Sequence, residues 1–318
     1  MWKVAIVLFL SLAVYPVVGH AAETTAAPRV DAPLLAEFNA LDRLVDHLTV
    51  EMGRLPAATP TAVVANATYR DLHSLALAIF SKTNRLNFEW TRELAPDANP
   101  PAGESTADDL LAVLQRSRRL LVGVGGSVGI PDAPSTGDTW ETLTLDEALV
   151  ALLRISRKLN GLLTEEIGPG SVYSEVSAGV KLAAELLALY PGAPHIPDKE
   201  AASYRKQPED VHARLLGCLL LVNGIDRLIG IEPLTVESFS LGGAPTIPND
   251  VHDIAVVVNS ELKHLLILAG VPGRTVMFQY VAAKIPSQVY RRAGMLESQL
   301  QTLTSHVRRE PARLGHKR

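Results

Sequence analysis

An all-α fold is what this sequence predicts, on three observations. Aromatic residues are only 5% of the chain while Leu, Ala and Val dominate, a mix that suits packed helices better than sheets. Apolar residues recur at steps of three and four, with charged residues opposite them. In the C-terminal half a Pro-x-x-Val-His/Tyr motif recurs about every 39 residues, each time heading an apolar stripe. The class expected is a helical bundle or solenoid-like array, its C-terminal half repeating one helix plus a long loop.

Residues 1–21 have the layout of a signal peptide. Lys3 gives a positive start, Val4 to Val18 is uncharged and apolar, and Gly19 and Ala21 are the small residues before a cleavage site. An uncleaved anchor is the other reading, although the run is slightly short for a membrane span. Export to a bacterial periplasm or the medium is therefore expected, with no transmembrane helix after cleavage. Cys218 is the only cysteine and lies in an apolar stretch, so it reads as a buried hydrophobe and allows no internal disulfide. Asn66-Ala67-Thr68 matches a glycosylation acceptor, which has meaning only in a eukaryotic secretory host.

Residues 22–32 are small and polar and read as a flexible N-terminus. The N-terminal helical region spans 33–139. Pro33 opens a helix with Leu34, Phe38, Leu41, Val45 and Leu48 on one stripe, and a second helix over 61–87 turns Leu72, Leu75, Ile79 and Phe80 inward. Three prolines make 95–103 a linker. A third helix, 106–122, starts with Asp108 and Asp109 at its positive end, and glycines and prolines break the pattern over 123–139.

The repeat region spans 140–307, beginning with an amphipathic helix over 144–166 that carries Leu149, Leu152, Leu159 and Leu163. Its apolar run followed by Arg154, Arg157 and Lys158 resembles the run ending in Arg116, Arg118 and Arg119, as in a diverged duplication. Such cations favour a helix C-terminus. The four motif copies are Pro169 to Tyr173, Pro208 to His212, Pro248 to His252 and Pro286 to Tyr290. Counting from the aromatic residue, position three is Val176, Leu215, Ala255 and Ala293, and position six is Gly179, Cys218, Val258 and Leu296. Position ten is Ala183, Val222, Leu262 and Leu300, and position thirteen is Leu186, Ile225, Leu265 and Leu303. Every copy is thus an amphipathic helix of one phase. Proline belongs in a first turn, where its missing N–H costs nothing, and Asp210 and Asp250 favour the dipole there. The connections, about 17 residues, reach roughly 55 Å when extended, against roughly 31 Å for a helix of about 21 residues. Successive helices are therefore free to be parallel or antiparallel, and 275–284 is a candidate short second helix.

Chemistry is sparse. Gly125-Gly126-Ser127-Val128-Gly129 fits a hydrolase nucleophile elbow, but that site needs a strand before the serine, and a helical pattern stands there. His212 and His252 are equivalent positions, and with Asp210, Asp250 and Asp253 they sketch a metal site; Tyr173 and Tyr290 in the other copies favour a packing role. Residues 308–318 form a basic tail read as solvated. A net charge of −4 gives no pull towards nucleic acid, and no cofactor motif is present. The function expected is an exported, non-enzymatic helical-repeat protein that binds or scaffolds a protein or cell-envelope partner. The alternative is a small-molecule or metal-binding module near His212 and His252. Oligomeric state is not set by the sequence.

Overall fold

The computed structural model describes residues 28–59, 61–98, 104–130, 139–197, 203–240, 244–271 and 284–315. Among these are eight helices: α1 (Ala32–Glu51), α2 (Tyr69–Thr91), α3 (Ala107–Ser127), α4 (Leu145–Leu162), α5 (Pro169–Leu187), α6 (Pro208–Leu228), α7 (Pro248–Leu268) and α8 (Pro286–Arg309). Two short strands, β1 (Thr61–Ala65) and β2 (Thr235–Ser240), are the only others named apart from a 3-10 turn at Pro311–Leu314. The fold is all-α in its bulk. The signal peptide expected at 1–21 and nearly all of the candidate helix at 275–284 lie outside the described residues. No described helix is long and apolar enough to cross a membrane.

Local chemistry sets where each helix begins. Asp31 caps α1 by accepting from Leu34 N at 2.9 Å. Thr68, Thr106 and Thr144 precede α2, α3 and α4, and the acid three residues on accepts from each threonine's own amide: Asp71 and Asp109 at 2.9 Å, Glu147 at 2.7 Å. Helices α5 to α8 open on Pro169, Pro208, Pro248 and Pro286. In the last three, Asp210, Asp250 and Gln288 accept from the amide before the proline. The helix expected over 61–87 is corrected at its start, because 61–65 is strand β1. Thr61, Val63 and Val64 are β-branched, Asn66 takes a φ of 65°, and a cap is first available at Thr68.

Both α1 and α2 pack against α3 and α4; both α5 and α6 pack against α7 and α8. Each half is a closed four-helix bundle with α1 diagonal to α2 and α5 diagonal to α6. A solenoid would stack each unit on its successor instead. Within a bundle the helices run parallel, since contacts join similar rather than opposite depths. Arg118 pairs with Glu37, Lys158 with Asp46, Arg214 with Glu297, and Arg292 donates to Ser177. Pro169, Val172, Pro208, Val211, Pro248, Val251, Pro286 and Val289 accordingly meet around one small apolar pocket at the N-terminal end of the second bundle.

Helix α7 also packs on α2 and α4 of the first bundle. It runs antiparallel to α2, for Arg70 meets Glu261 at one end and Lys82 meets Asn249 at the other. Strands β1 and β2 pair antiparallel, Thr61 opposite Ser240 and Ala65 opposite Thr235, and tie the two halves together.

Three expected boundaries shift. Helix α4 belongs with α1 and α2, so the division falls between Leu162 and Pro169 rather than at 139/140. Residues 28–31 are held, not loose, because Val30 N donates to Leu143 O at 2.9 Å and Leu145 N to Pro28 O at 3.0 Å. The described part of the basic tail docks as well. Arg308 and Arg309 complete α8, Leu314 is buried, and the Arg313 guanidinium lies 5.9 Å from the Tyr190 ring centre. One apolar residue among the cations is enough to bring that turn in.

Candidate functional site

The polar chemistry of this molecule is concentrated where α7 meets the first bundle. Lys82 of α2 is 3% exposed, and its Nζ donates to Ser156 Oγ, to Asn249 Oδ1 at 2.5 Å and to Asp253 Oδ1 at 3.0 Å. Ser156 in turn donates to Asp253 Oδ2 at 2.5 Å. Beside them Arg157 of α4 pairs with Asp250 at 2.5 Å and donates to Pro245 O. Burial lowers the Lys82 ammonium, Asp253 opposing it. Burial also pushes the Asp253 carboxyl up, but Lys82, His252 and Ser156 outweigh it and hold it below its ordinary value.

These contacts locate the residues that the sequence singled out. Asp250 and Asp253 come together on α7, each facing a cation of the other bundle. His252 Nδ1 is 3.4 Å from Asp253 Oδ1. Asp210 lies apart on α6, where the Gln207 amide and Lys206 engage it. His212 is buried on α6, and burial lowers its imidazole to about 4. Among the described residues no group of three or more His, Cys, Asp or Glu is placed to hold a metal ion.

The alternation of Tyr and His in the motif has a structural counterpart. Tyr290 lies under Lys206, just before α6, and Arg214 of α6, at 4.4 and 4.3 Å, and Tyr173 under Lys284 and Arg292, at 4.8 and 5.8 Å. Each pair of cations stands two residues before the neighbour's proline and six after it. The equivalent residues are Ile167 and Glu175 for α5, and Thr246 and Ile254 for α7. The histidine-bearing helices α7 and α6 pack against these two, which offer no cation there.

A second cluster lies at the other end of the α2–α7 contact. Arg70 pairs with Glu261 at 2.7 Å and lies 3.5 Å from Asp71. Asp71, Glu261 and Asp226 of α6 are all essentially inaccessible. Neither oxygen of Asp226 and neither polar atom of Asn223 meets a hydrogen-bond partner among the described residues. Burial raises the Asp226 carboxyl to about 7 against the pull of Arg70, and burial together with Asp71 raises Glu261 well above the ordinary value.

Sequence reasoning gave Arg157 a place at the helix C-terminus but no partner, and it missed Lys82, Asp226 and Glu261. A signal was present, for each sits within an apolar stripe: Lys82 between Ile79 and Leu86, Asp226 between Val222 and Ile229, Glu261 between Val258 and Leu265. The basic clusters serve contacts between helices as well. Arg154 and Lys158 meet Asp42, Arg118 meets Glu37, and Arg116 lies 4.5 Å from the Phe80 ring centre. Ser127 ends α3, exposed, with its hydroxyl donating to Val124 O; a helix, not a strand, leads to it.

At the C-terminal end of the first bundle large apolar side chains face outward. Val50, Leu55 and Leu94 are 69, 89 and 67% exposed, and Phe88, Trp90 and Val122 are exposed too. They come from the last turns of α1, α2 and α3 or just beyond. Those turns touch, since a Cβ on Gly123 would stand 3.7 Å from Asn87 of α2 and one on Gly125 would stand 3.6 Å from Leu48 of α1. Compared with known proteins, the chain matches no family model, no curated protein and no solved structure.

Proposed function

We propose that this chain is an exported, non-enzymatic binding module that docks a protein of the cell envelope through the C-terminal end of its first bundle. The carrying observation is the group of outward-facing Val50, Leu55, Phe88, Trp90, Leu94 and Val122 at one end. Exposed apolar groups of this size, aromatic residues among them, suit a protein interface. Exposed charges around them alternate in sign, Glu51 and Glu93 against Arg54 and Arg92, which suits a protein partner better than an anionic lipid surface. The signal-peptide pattern at 1–21 supports the location. By contrast, a metal or small-molecule module near His212 and His252 would draw on Asp250 and Asp253, which Arg157 and Lys82 already engage.

The architecture is read here as one unit of about 38 residues, a helix and a return stretch, used four times per bundle. Thr68, Thr106 and Thr144 recur at the same interval as the prolines of the second half, and a common ring of helix contacts supports the reading.

Photo-crosslinking tests the docking surface. A photoreactive side chain at Leu55 or Trp90 of the full chain is expected to capture one and the same envelope protein. Placed at the exposed Lys181 of α5, it is expected to capture none of it. Phe88→Glu with Trp90→Glu, folded by circular dichroism, is expected to abolish the adduct. Equal capture from position 181, or an adduct indifferent to the double substitution, overturns the assignment.

A further inference from the structure

The cluster around Arg70 has too few cations for its carboxyls. Three buried acids, Asp71 and Glu261 facing each other across α2 and α7 and Asp226 on α6, share one guanidinium. Asp71 has donors of its own, the Thr68 amide and hydroxyl, at 2.9 and 2.7 Å. Asp226 has no donor among the described residues. A dry carboxylate without donors is strongly unfavourable, so this carboxyl is either protonated or reached by water. At the opposite end of the same contact the charges balance one to one, Lys82 with Asp253 and Arg157 with Asp250. One end of the seam therefore depends on bound protons and the other does not.

We propose that the contact between the bundles is a proton-dependent latch, closed while Asp226 and Glu261 carry their protons and opening at the N-terminal end of α2 when they ionise. The Lys82–Asp253 and Arg157–Asp250 pairs act as the hinge that stays shut. Glu261 is held well above the ordinary carboxylate value by burial and by the neighbouring Asp71, so closing it consumes one proton. Asp226 consumes another, its carboxyl being raised to about 7 in the closed contact.

The charged groups around Asp226 are Arg70 and Asp71 from α2, Glu261 from α7 and Arg227 on α6 itself, and His264 of α7 acts on the same Arg70 and Asp71. His264 works against the latch, because burial and Arg70 lower it to about 4 and opening lets it regain a proton below its ordinary 6.5. Two protons leave on opening and one is taken up, a net release of one. The opening equilibrium then shifts about tenfold per pH unit over roughly pH 5 to 6.5.

Hydrogen exchange of the full chain reads this directly. Amide protection in 69–74, 223–228 and 258–264, corrected for the intrinsic pH dependence of exchange, is expected to fall about tenfold per pH unit from pH 5 to 6.5. Protection in 249–256 is expected to stay constant. Asp226→Asn leaves one proton lost and one gained, and its protection in the same segments is expected to be flat over that range. A flat wild-type profile, or an unchanged slope in Asp226→Asn, overturns the latch. Should that variant fail to fold, infrared spectra of the wild-type chain decide. A protonated-carboxyl band present at pH 6 and lost by pH 8 supports the proposal, and no such band at pH 6 overturns it.

Discussion

A buried ammonium is tolerable only where oxygen atoms replace its water, and Lys82 has three, from Ser156, Asn249 and Asp253. The stabilisation belongs to the set and not to the lysine alone. Lys82→Met leaves Asp253 buried without its cation and is expected to cost about 3–5 kcal/mol, while adding Asp253→Leu to it recovers much of that loss. Denaturant unfolding of the two single variants and the double variant measures the coupling, and additive losses would sink the idea. In the sequence Asp250 was placed to favour the helix dipole, and Asp210, Asp250 and Asp253 with His212 and His252 sketched a metal site. The partners of Asp250 and Asp253 are Arg157 and Lys82, 93 and 171 residues distant, and no local pattern joins them. Lys82 inside an apolar stripe announced a buried charge; its address required the packing of α7 on α2 and α4.

At the scale of the helix, parallel alignment turns the four helices of the second bundle into layers. Position three places larger Val176 and Leu215 on the diagonal pair α5 and α6, with Ala255 and Ala293 on α7 and α8. Position six inverts this, with Gly179 and Cys218 on one diagonal and Val258 and Leu296 on the other. At these two depths small residues face large ones, as close packing of a bundle requires. Gly179 is where the fit is tightest. A Cβ there would stand 2.6 Å from Asn259 Oδ1 and 3.1 Å from Leu296 Cδ2, while Asn259 Nδ2 donates to Glu175 O and Oε1. Gly179→Ala is expected to destabilise by about 1–3 kcal/mol despite alanine's better helix propensity, by displacing that amide. The unfolding midpoint checks it; a stabilised variant would mean that the layer has slack. The stripe and its phase were legible in the sequence because proline marked each start. The starts near 106 and 144 were legible as well, but the start of α2 was not, because the strand β1 was hidden by the periodicity that follows it.

The whole molecule carries opposed titrations in its interior. Asp226 and Glu261 hold protons in the fold that the unfolded chain releases, so each makes stability fall as pH rises from the ordinary carboxylate value towards its raised one. His212 and His264, lowered to about 4, have no proton in the fold but gain one on unfolding below 6.5, so each makes stability rise with pH from about 4 to 6.5. Around pH 5 to 6 the releases and uptakes nearly cancel, and the unfolding free energy of the native chain is expected to be almost flat there. Asp226→Asn removes one release and leaves the histidines uncompensated. Its stability is then expected to rise by about 1.4 kcal/mol per pH unit across that window, one proton's worth. Denaturant melts at pH 5 and pH 6 of both chains measure it. Equal slopes for the two would mean that the Asp226 carboxyl holds no proton in the folded molecule, and the latch between the bundles would fall with it.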